Sequence, residues 1–257
     1  MTEPDPDPPD LPDPAASALP DLAHSAVFRP VRAGNAFEET VERLLQAIKL
    51  GVVDRGERLP PERELAPLLG VSRVTLREAI RAVQQEGYVE SRRGRFGGTF
   101  VTYTRPKPRQ SDLKRALAQM GDGLNDTLTF RMAVETGAAQ ILATTPLTEA
   151  QRATLRTRLA ELNAAGPQEY RRLDTLFHLT VAEMTGSALL SAACADARMR
   201  VTDLLNAIPV LGPNIEHASF QHAAIVDAVL AGDPEAARRA VAEHLEGTAA
   251  LLRGFLG

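Results

Sequence analysis

Three of the five histidines in this chain lie where a helix would otherwise be apolar. His178, His222 and His244 each sit within one helical turn of Val, Ile or Ala residues that we expect to face a core. Asp174 precedes His178 by four residues, which places both side chains on one helix face. Buried imidazoles and a buried carboxylate cost free energy unless their polar atoms find partners, and a divalent cation would satisfy all four side chains at once.

The spacing of these residues favours one common site. Between His222 and His244 the chain carries a Gly-Asp-Pro turn at 232–234, which predicts two antiparallel helices with both imidazoles at one level of a bundle. Three imidazoles and one carboxylate suit Zn²⁺, Ni²⁺ or Mn²⁺ and leave coordination positions open for water or a ligand. The residues alone leave open the alternative that these are core histidines satisfied by hydrogen bonds within the protein.

A second group of residues is basic. Residues 36–110 contain 14 Lys and Arg against 10 Asp and Glu, although the whole chain carries a net charge of −4. Residues 91–109 contain basic side chains and no acidic one, whereas the first 35 residues and the long C-terminal part are acidic. Because screening removes the influence of charges beyond about 10 Å, this local excess can bind phosphate in spite of the acidic remainder.

The pattern of apolar residues places the basic side chains on a known motif. Helices are predicted from Ala36 to Gly51, from Glu62 to Leu69 and from Arg73 to Glu86. Two short strands, Tyr88–Ser91 and Thr99–Tyr103, flank a glycine-rich hairpin turn. Two helices joined by a tight turn and followed by a basic hairpin form a winged helix-turn-helix.

In such a motif the N-terminal end of the third helix meets base edges in the major groove. Arg73 and Arg77 are four residues apart and share a face, Arg can pair with guanine through two hydrogen bonds, and Thr75 can touch a thymine methyl group. Arg93 and Gly94 would form the hairpin tip, where Gly permits the tight turn and Arg suits a narrow minor groove. A solvated surface role is the alternative for any single arginine.

Residues 56–101 resemble the DNA-binding domain of the GntR family of bacterial regulators. The matching segments are Leu59-Pro60, Glu62 to Ala66, Val71 to Arg73, Thr75 to Ala79 and Gly94 to Val101. The resemblance implies DNA contacts from Arg63, Arg73, Thr75, Arg77, Arg93 and Gly94. Ser72 and Val74 are expected to contact DNA as well, because they lie at the N-terminal end of the third helix. Val74 departs from the small polar residue common at its position, so it can touch a thymine methyl group but its side chain makes no hydrogen bond.

The rest of the chain is predicted to be helical, with no strand signal. The candidate helices cover 125–144, 148–164, 167–185, 187–207, 214–231 and 234–253. Residues 123–253 resemble the FCD effector domain of FadR-like GntR regulators. The features that carry this resemblance are Arg131 with Glu135, Asp174 to His178, Gln221 to Ile225, Ala231 to Ala237 and His244-Leu245.

The second resemblance implies that Asp174, His178, His222 and His244 hold a divalent metal. It also implies a small organic acid as effector, bound beside the metal, for which Arg131 is the expected cation. The alternative for Arg131 is an ion pair with Glu135, four residues further on. Two further candidates for this effector pocket are Asn206 and His217.

The expected fold is therefore mostly α. It comprises a disordered, acidic, Pro-rich tail over 1–35, a winged helix-turn-helix over 36–103, a linker over 104–122 and a helical effector-binding and dimerisation domain over 123–257. One cysteine, Cys194, permits no disulfide within the chain and is expected in the core. Without a long apolar run or a signal peptide, the chain is expected to be cytoplasmic.

The function expected from these features is that of a homodimeric transcription regulator, a repressor, which binds a palindromic site in double-stranded DNA under the control of the effector. A metal-dependent enzyme is one alternative, since an open metal site could activate water. No separate acid and base residues accompany the site, however, and the basic hairpin would have no role, so no enzyme activity is expected. A dimerising adaptor with a vestigial metal site is the other alternative.

Overall fold

The computed structural model describes residues 22–31, 35–95, 97–105, 111, 114–115 and 123–256. The first part of the chain contains α1 (Leu22–Val27), α2 (Ala36–Leu50), α3 (Glu62–Leu69), α4 (Arg73–Gln85), β1 (Val89–Arg92) and β2 (Gly98–Val101). The second part contains α5 (Gly123–Thr144), α6 (Glu149–Asn163), α7 (Tyr170–Glu183), α8 (Ala188–Ala207), α9 (Gly212–Ala231) and α10 (Pro234–Leu256). The mostly helical fold expected from the sequence is confirmed.

Helices α2, α3 and α4 pack into a helix-turn-helix unit around buried leucines such as Leu44, Leu65 and Leu76. The turn between α3 and α4 is tight because Gly70 ends α3 in the left-handed region, with φ of 66°. Ser72 then caps α4, since its Oγ accepts a hydrogen bond of 3.0 Å from the backbone N–H of Thr75. The tight turn and the cap together set the orientation of α4 relative to α3.

Strands β1 and β2 form an antiparallel hairpin in which Val89 pairs with Val101 and Arg92 with Gly98. The sequence predicts that the second strand continues to Tyr103. In the structure the N–H groups of Thr102 and Tyr103 both donate to the carbonyl of Tyr88, so the regular ladder ends at Val101. The hairpin is therefore shorter than predicted.

Helices α5 to α10 form a bundle, and α10 packs against α5 and α9. Its core contains Leu142, Leu155, Phe177, Ile225 and Val241. The helix ends differ from the predicted ones by a few residues. Helix α9 begins at 212 rather than at 214, since a proline in the first turn has no N–H that needs an acceptor. Within the described ranges, no helix combines the length and apolar character needed to span a bilayer.

The prediction of a disordered tail over 1–35 is wrong for residues 22–31. Helix α1 packs against α7 and α8, and Ala26, Val27 and Phe28 are buried there. His24 Nε2 lies 3.2 Å from the carbonyl oxygen of Val52. The short apolar run therefore docks the segment, despite the acidic composition around it. Residues 1–21 and 32–34 and most of the predicted linker lie outside the described residues.

The helix-turn-helix unit and the bundle share one apolar core, which continues from α2 into Leu176 and Leu179 of α7. Hydrogen bonds add to this apolar contact. The Asp196 carboxylate of α8 accepts one from Arg29 at 2.9 Å and one from Gln46 at 2.9 Å. The two parts of the molecule are thus packed directly against each other.

Candidate metal centre and nucleic-acid interface

Four side chains from three helices of the bundle meet at one point. Helix α7 supplies Asp174 and His178, α9 supplies His222 and α10 supplies His244. Asp174 Oδ1 lies 3.1 Å from Nε2 of His222, 3.6 Å from Nε2 of His244 and 3.8 Å from Nε2 of His178. One ligand atom from each residue lies within 4.8 Å of the other three. The structure therefore brings together all four predicted metal ligands.

The imidazoles are buried with nitrogens that make no well-aligned hydrogen bond among the described residues. This holds for both ring nitrogens of His222, which is fully buried, and for Nε2 of His178 and His244. Nitrogens about 2.1 Å from one zinc ion lie at most about 4.2 Å apart, so a shift of less than about 1 Å lets the four residues share an ion. The donor set and the unpaired nitrogens fit a divalent transition metal.

A second layer of polar residues fixes this cluster. Glu135 Oε2 accepts from Nδ1 of His178 at 3.0 Å, which leaves Nε2 of that ring as the free acceptor that a metal requires. Arg198 donates to Asp174 Oδ2 at 2.9 Å and to Glu135 Oε2 at 2.8 Å. Arg131 Nε donates to Glu135 Oε1 at 2.8 Å. The pair between Arg131 and Glu135 that the sequence suggested is therefore present.

Sequence reasoning missed Arg198. The signal was available, because Arg198 lies three and four residues from Ala195, Cys194 and Val201, all of which are buried. A basic residue in such an apolar stripe indicates a buried charge, which needs an acidic partner.

Burial sets the protonation states of the two histidines of the site, whereas neighbouring charges set those of its two carboxyls. It lowers the pKa of His178 to about 3 and that of His244 to about 4, so both rings are neutral near pH 7. Burial opposes ionisation of Asp174 and Glu135, but neighbouring arginines, Arg198 above all for Asp174, hold the pKa of both carboxyls well below the usual range.

The charges of the inner site cancel. Two carboxylates, Asp174 and Glu135, are balanced by two guanidinium groups, Arg131 and Arg198. A divalent ion would add two positive charges with no compensation in a buried place. An anion in the adjoining cavity would compensate these charges.

A cavity of about 260 Å³ opens beside Asp174 and His244. All three predicted effector residues, Arg131, Asn206 and His217, line it. Arg131 is only 2% exposed, and its Nη1 atom has no hydrogen-bond partner in the described part of the chain. The walls also contain four cations that the sequence did not indicate, namely Lys49, Arg105, Arg171 and Arg172.

The other candidate site is the outer face of α4. Leu76, Ile80 and Val83 are buried against the unit, which leaves Arg73 and Arg77 exposed. Ser72 and Val74 are exposed as well, Val74 to 63%, whereas Thr75 is half-buried and its Oγ1 lies 2.9 Å from Ser72 Oγ. The N-terminal turn of α4 thus projects a basic and partly apolar surface into solvent.

Two of the predicted DNA-contact residues, Arg77 and Arg63, already form ion pairs within the protein. Arg77 Nε lies 2.7 Å from Glu62 Oε2, and Arg63 Nε lies 3.2 Å from Glu64 Oε1. At the hairpin tip Arg93 is exposed, and Gly94 has a φ of 105°, which a side chain would disfavour. All eight predicted DNA-contact residues therefore lie at or near the surface on the helix-turn-helix and hairpin.

A winged helix-turn-helix packed on a helical bundle with a buried polar centre and an adjoining cavity defines a class of protein, the DNA-binding regulators with a sensor domain. Residues 37–101 match the family model for bacterial regulatory proteins of the gntR family, and residues 126–247 match the FCD domain. The chain belongs to the GntR family and is a DNA-binding transcription regulator, not an enzyme.

Individual proteins support this assignment. The HTH-type transcriptional regulator RmpR of Mycobacterium gastri is 33% identical over 243 residues, which cover 89% of this chain and 84% of that protein. The HTH-type transcriptional repressor NanR of Salmonella arizonae is 27% identical over 253 residues, which cover 91% and 90%. In fold, the chain is similar to the solved structure of McbR/YncC of Escherichia coli, with a TM-score of 0.52 and 19% identity over 87% of this chain and 99% of that one.

Proposed function

We propose that this regulator is a homodimeric repressor that releases a palindromic operator when an organic acid binds beside a metal. Asp174, His178, His222 and His244 would hold the ion, which is Zn²⁺, Ni²⁺ or Mn²⁺. When bound, such an ion supplies a Lewis-acidic centre that a carboxylate can coordinate. The observation that carries the proposal is the charge balance, because the ion would add two positive charges to a buried site that is neutral without it, and an anion would compensate them.

The unpaired Nη1 of Arg131 supports the same conclusion. This nitrogen is buried and belongs to a residue that lines the cavity beside the cluster. A buried N–H donor without an acceptor costs about 1–3 kcal/mol, and a carboxylate oxygen placed there would remove that cost. Asn206 and His217, which line the same cavity, would provide further hydrogen bonds to the acid.

On the DNA side, the exposed turn of α4 would contact bases and the hairpin tip would enter a groove. Arg63, Ser72, Arg73, Val74, Thr75, Arg77, Arg93 and Gly94 are the proposed contact residues. One such surface reads only a few base pairs, so a dimer is needed for a long specific site, and its two-fold symmetry calls for a palindrome. A similar protein that is named a repressor supports repression as the sign of control.

The test uses the full chain, purified without chelators. Metal analysis should give about one equivalent of a transition metal per chain, and duplexes selected from a random pool should contain an inverted repeat. Adding a carboxylate from a panel of small organic acids should then weaken operator binding, as measured by fluorescence anisotropy. An Arg131→Gln variant should bind the operator but lose the response to the acid.

Two results would contradict the proposal. Metal content below about half an equivalent in the untreated protein would favour an adaptor with a vestigial site. A selected duplex without any inverted repeat, bound by one chain, would rule out the dimeric mode of recognition.

A further inference from the structure

The ligand cavity reaches the place where the helix-turn-helix unit meets the bundle. Its walls include Lys49 of α2 and Arg105, which lies four residues after the end of β2, besides Arg131 and His244 beside the metal cluster. A second cavity of about 550 Å³ adjoins it and shares Arg105, Arg171, Asn206, Pro209 and Val210 with it. One molecule can therefore contact the inner site and the junction of the two parts at the same time.

The outer end of the cavity is rich in cations, and two of them are neutralised. Lys49 Nζ lies 3.5 Å from an oxygen of Asp203. Arg172 Nε lies 3.0 Å from Asp54 and 2.8 Å from Glu169. The carboxylates of Asp203, Asp54 and Glu169 thus already form ion pairs with Lys49 and Arg172.

Arg105 and Arg171 differ from these two. Among the described residues, neither has a carboxylate within ion-pair distance, and the side chain of Arg171 is held instead by the carbonyls of Ile208 and Pro209 at 3.1 and 3.4 Å. Burial lowers the pKa of Arg171 to about 10 against the opposing effect of Asp174, and it lowers the pKa of Arg105 against the opposing effect of Asp54. Two partly buried guanidinium groups, those of Arg105 and Arg171, therefore lie at one end of the cavity, and no carboxylate accepts from their N–H groups among the described residues.

We propose that the effector is an acid with two anionic groups, the second of which binds Arg105 and Arg171. The inference rests on the proposed function, because the first acidic group is the one beside the metal and Arg131. The ligand class is a dicarboxylic acid, whose chain spans the cavity between the two cationic ends. The position of Arg105, between the hairpin and the bundle, means that the second acidic group contacts the segment that follows the DNA-reading unit.

The experiment compares acids that differ only in the second acidic group. Calorimetric titration of the full metal-loaded chain would use butyrate against succinate, pentanoate against glutarate and hexanoate against adipate. At the chain length that fits, the dicarboxylate should bind about 10- to 100-fold more tightly, as expected for one or two added charge-assisted hydrogen bonds.

Variants separate the two ends of the cavity. Arg105→Gln and Arg171→Gln should reduce the preference for the dicarboxylate to less than about threefold. Arg131→Gln should weaken both members of a pair by the same factor, which leaves the preference in place. Arg156→Gln, which removes an exposed arginine of α6, is the matched control and should keep the wild-type preference. Thermal melting of each variant confirms that it is folded.

Equal affinity for both members of every pair, in a chain that does bind these acids, would overturn the second subsite and leave the proposed function intact. An unchanged preference in both Arg105→Gln and Arg171→Gln would also overturn it. If no acid of either kind binds the metal-loaded chain, the proposed function fails and this inference fails with it.

Discussion

The Nη1 atom of Arg198 lies 2.9 Å from Oδ2 of Asp174, so this arginine occupies one oxygen of the carboxylate whose other oxygen lies among the three imidazoles. Arg198 also donates to Glu135, which accepts from His178. It is therefore a positioning residue for two of the four proposed ligands. The residue that fixes the ligands lies on α8, the neighbouring helix of the bundle.

Replacement of Arg198 by Gln is expected to weaken metal binding by about 10- to 100-fold, the usual cost of losing a partner of the ligands. The reason is that Asp174 and Glu135 lose the group that orients both of them. Competition with a metal-sensitive dye would measure the affinity, and circular dichroism would verify the fold. Arg200→Gln, on the exposed side of the same helix, is the control and should bind metal normally. An unaltered affinity in Arg198→Gln would contradict the positioning role.

Metal removal should destabilise the protein. An ion that binds only the folded state at 1,000 times its dissociation constant stabilises it by about 4 kcal/mol, which for a chain of this size corresponds to a Tm shift of roughly 8–16 °C. Calorimetry before and after dialysis against a chelator would measure the shift. His222→Ala should melt at the same temperature with and without chelator, and a chelator-dependent Tm in that variant would place the metal elsewhere.

The sequence predicted the metal cluster because its signals are local. Asp174 and His178 are four residues apart, and a single turn separates the helices of His222 and His244, so helix geometry brings each pair together. That the two pairs meet in one site was implied by the resemblance to the FCD domain. Arg198 comes from another helix, and its pairing with Asp174 depends on how α8 packs in the bundle. Spacing along the chain contains no information about that packing.

The same limit explains why the cationic end of the cavity was missed. Arg105 and Arg171 lie 66 residues apart by their sequence numbers, and their shared surroundings arise only when the helix-turn-helix unit docks on the bundle. Helix α1 was missed for a related reason, since the buried run from Ala26 to Phe28 is too short to give a periodic signal. Its order comes from tertiary contacts.

Loss of Arg73 should reduce specific DNA binding by about 1–3 kcal/mol, because a base-reading arginine discriminates by that amount. The expected result for Arg73→Ala is a loss of about 5- to 150-fold for the selected operator and a much smaller loss for an unrelated duplex, measured by anisotropy at fixed salt. Arg156→Ala, which removes an exposed charge from α6, should leave both affinities as they are. If Arg73→Ala weakened both duplexes equally, this residue would contact phosphate only.

The close approach of Gly51 to Arg105 predicts how the two parts of the molecule communicate. Gly51 ends α2 with a φ of 74°, and a Cβ there would lie 2.5 Å from Arg105 Nη2 and 2.6 Å from Arg172 Cγ. Alanine at this position adds the strain of the left-handed region, about 1–2 kcal/mol, and also displaces two arginines at the domain junction.

Gly56 provides a matched control, because it has a φ of 84° but no atom within 4 Å of the position of a Cβ. Gly56→Ala should therefore lower the unfolding free energy by about 1–2 kcal/mol through strain alone. Gly51→Ala should lower it at least as much and should also diminish the ratio of operator affinities measured without and with the dicarboxylate. Denaturant unfolding and anisotropy measure the two effects separately. If both variants kept the wild-type ratio, the crowded contact at Gly51 would have no part in transmitting the ligand signal, and the coupling would have to pass through Asp196 and the shared apolar core instead.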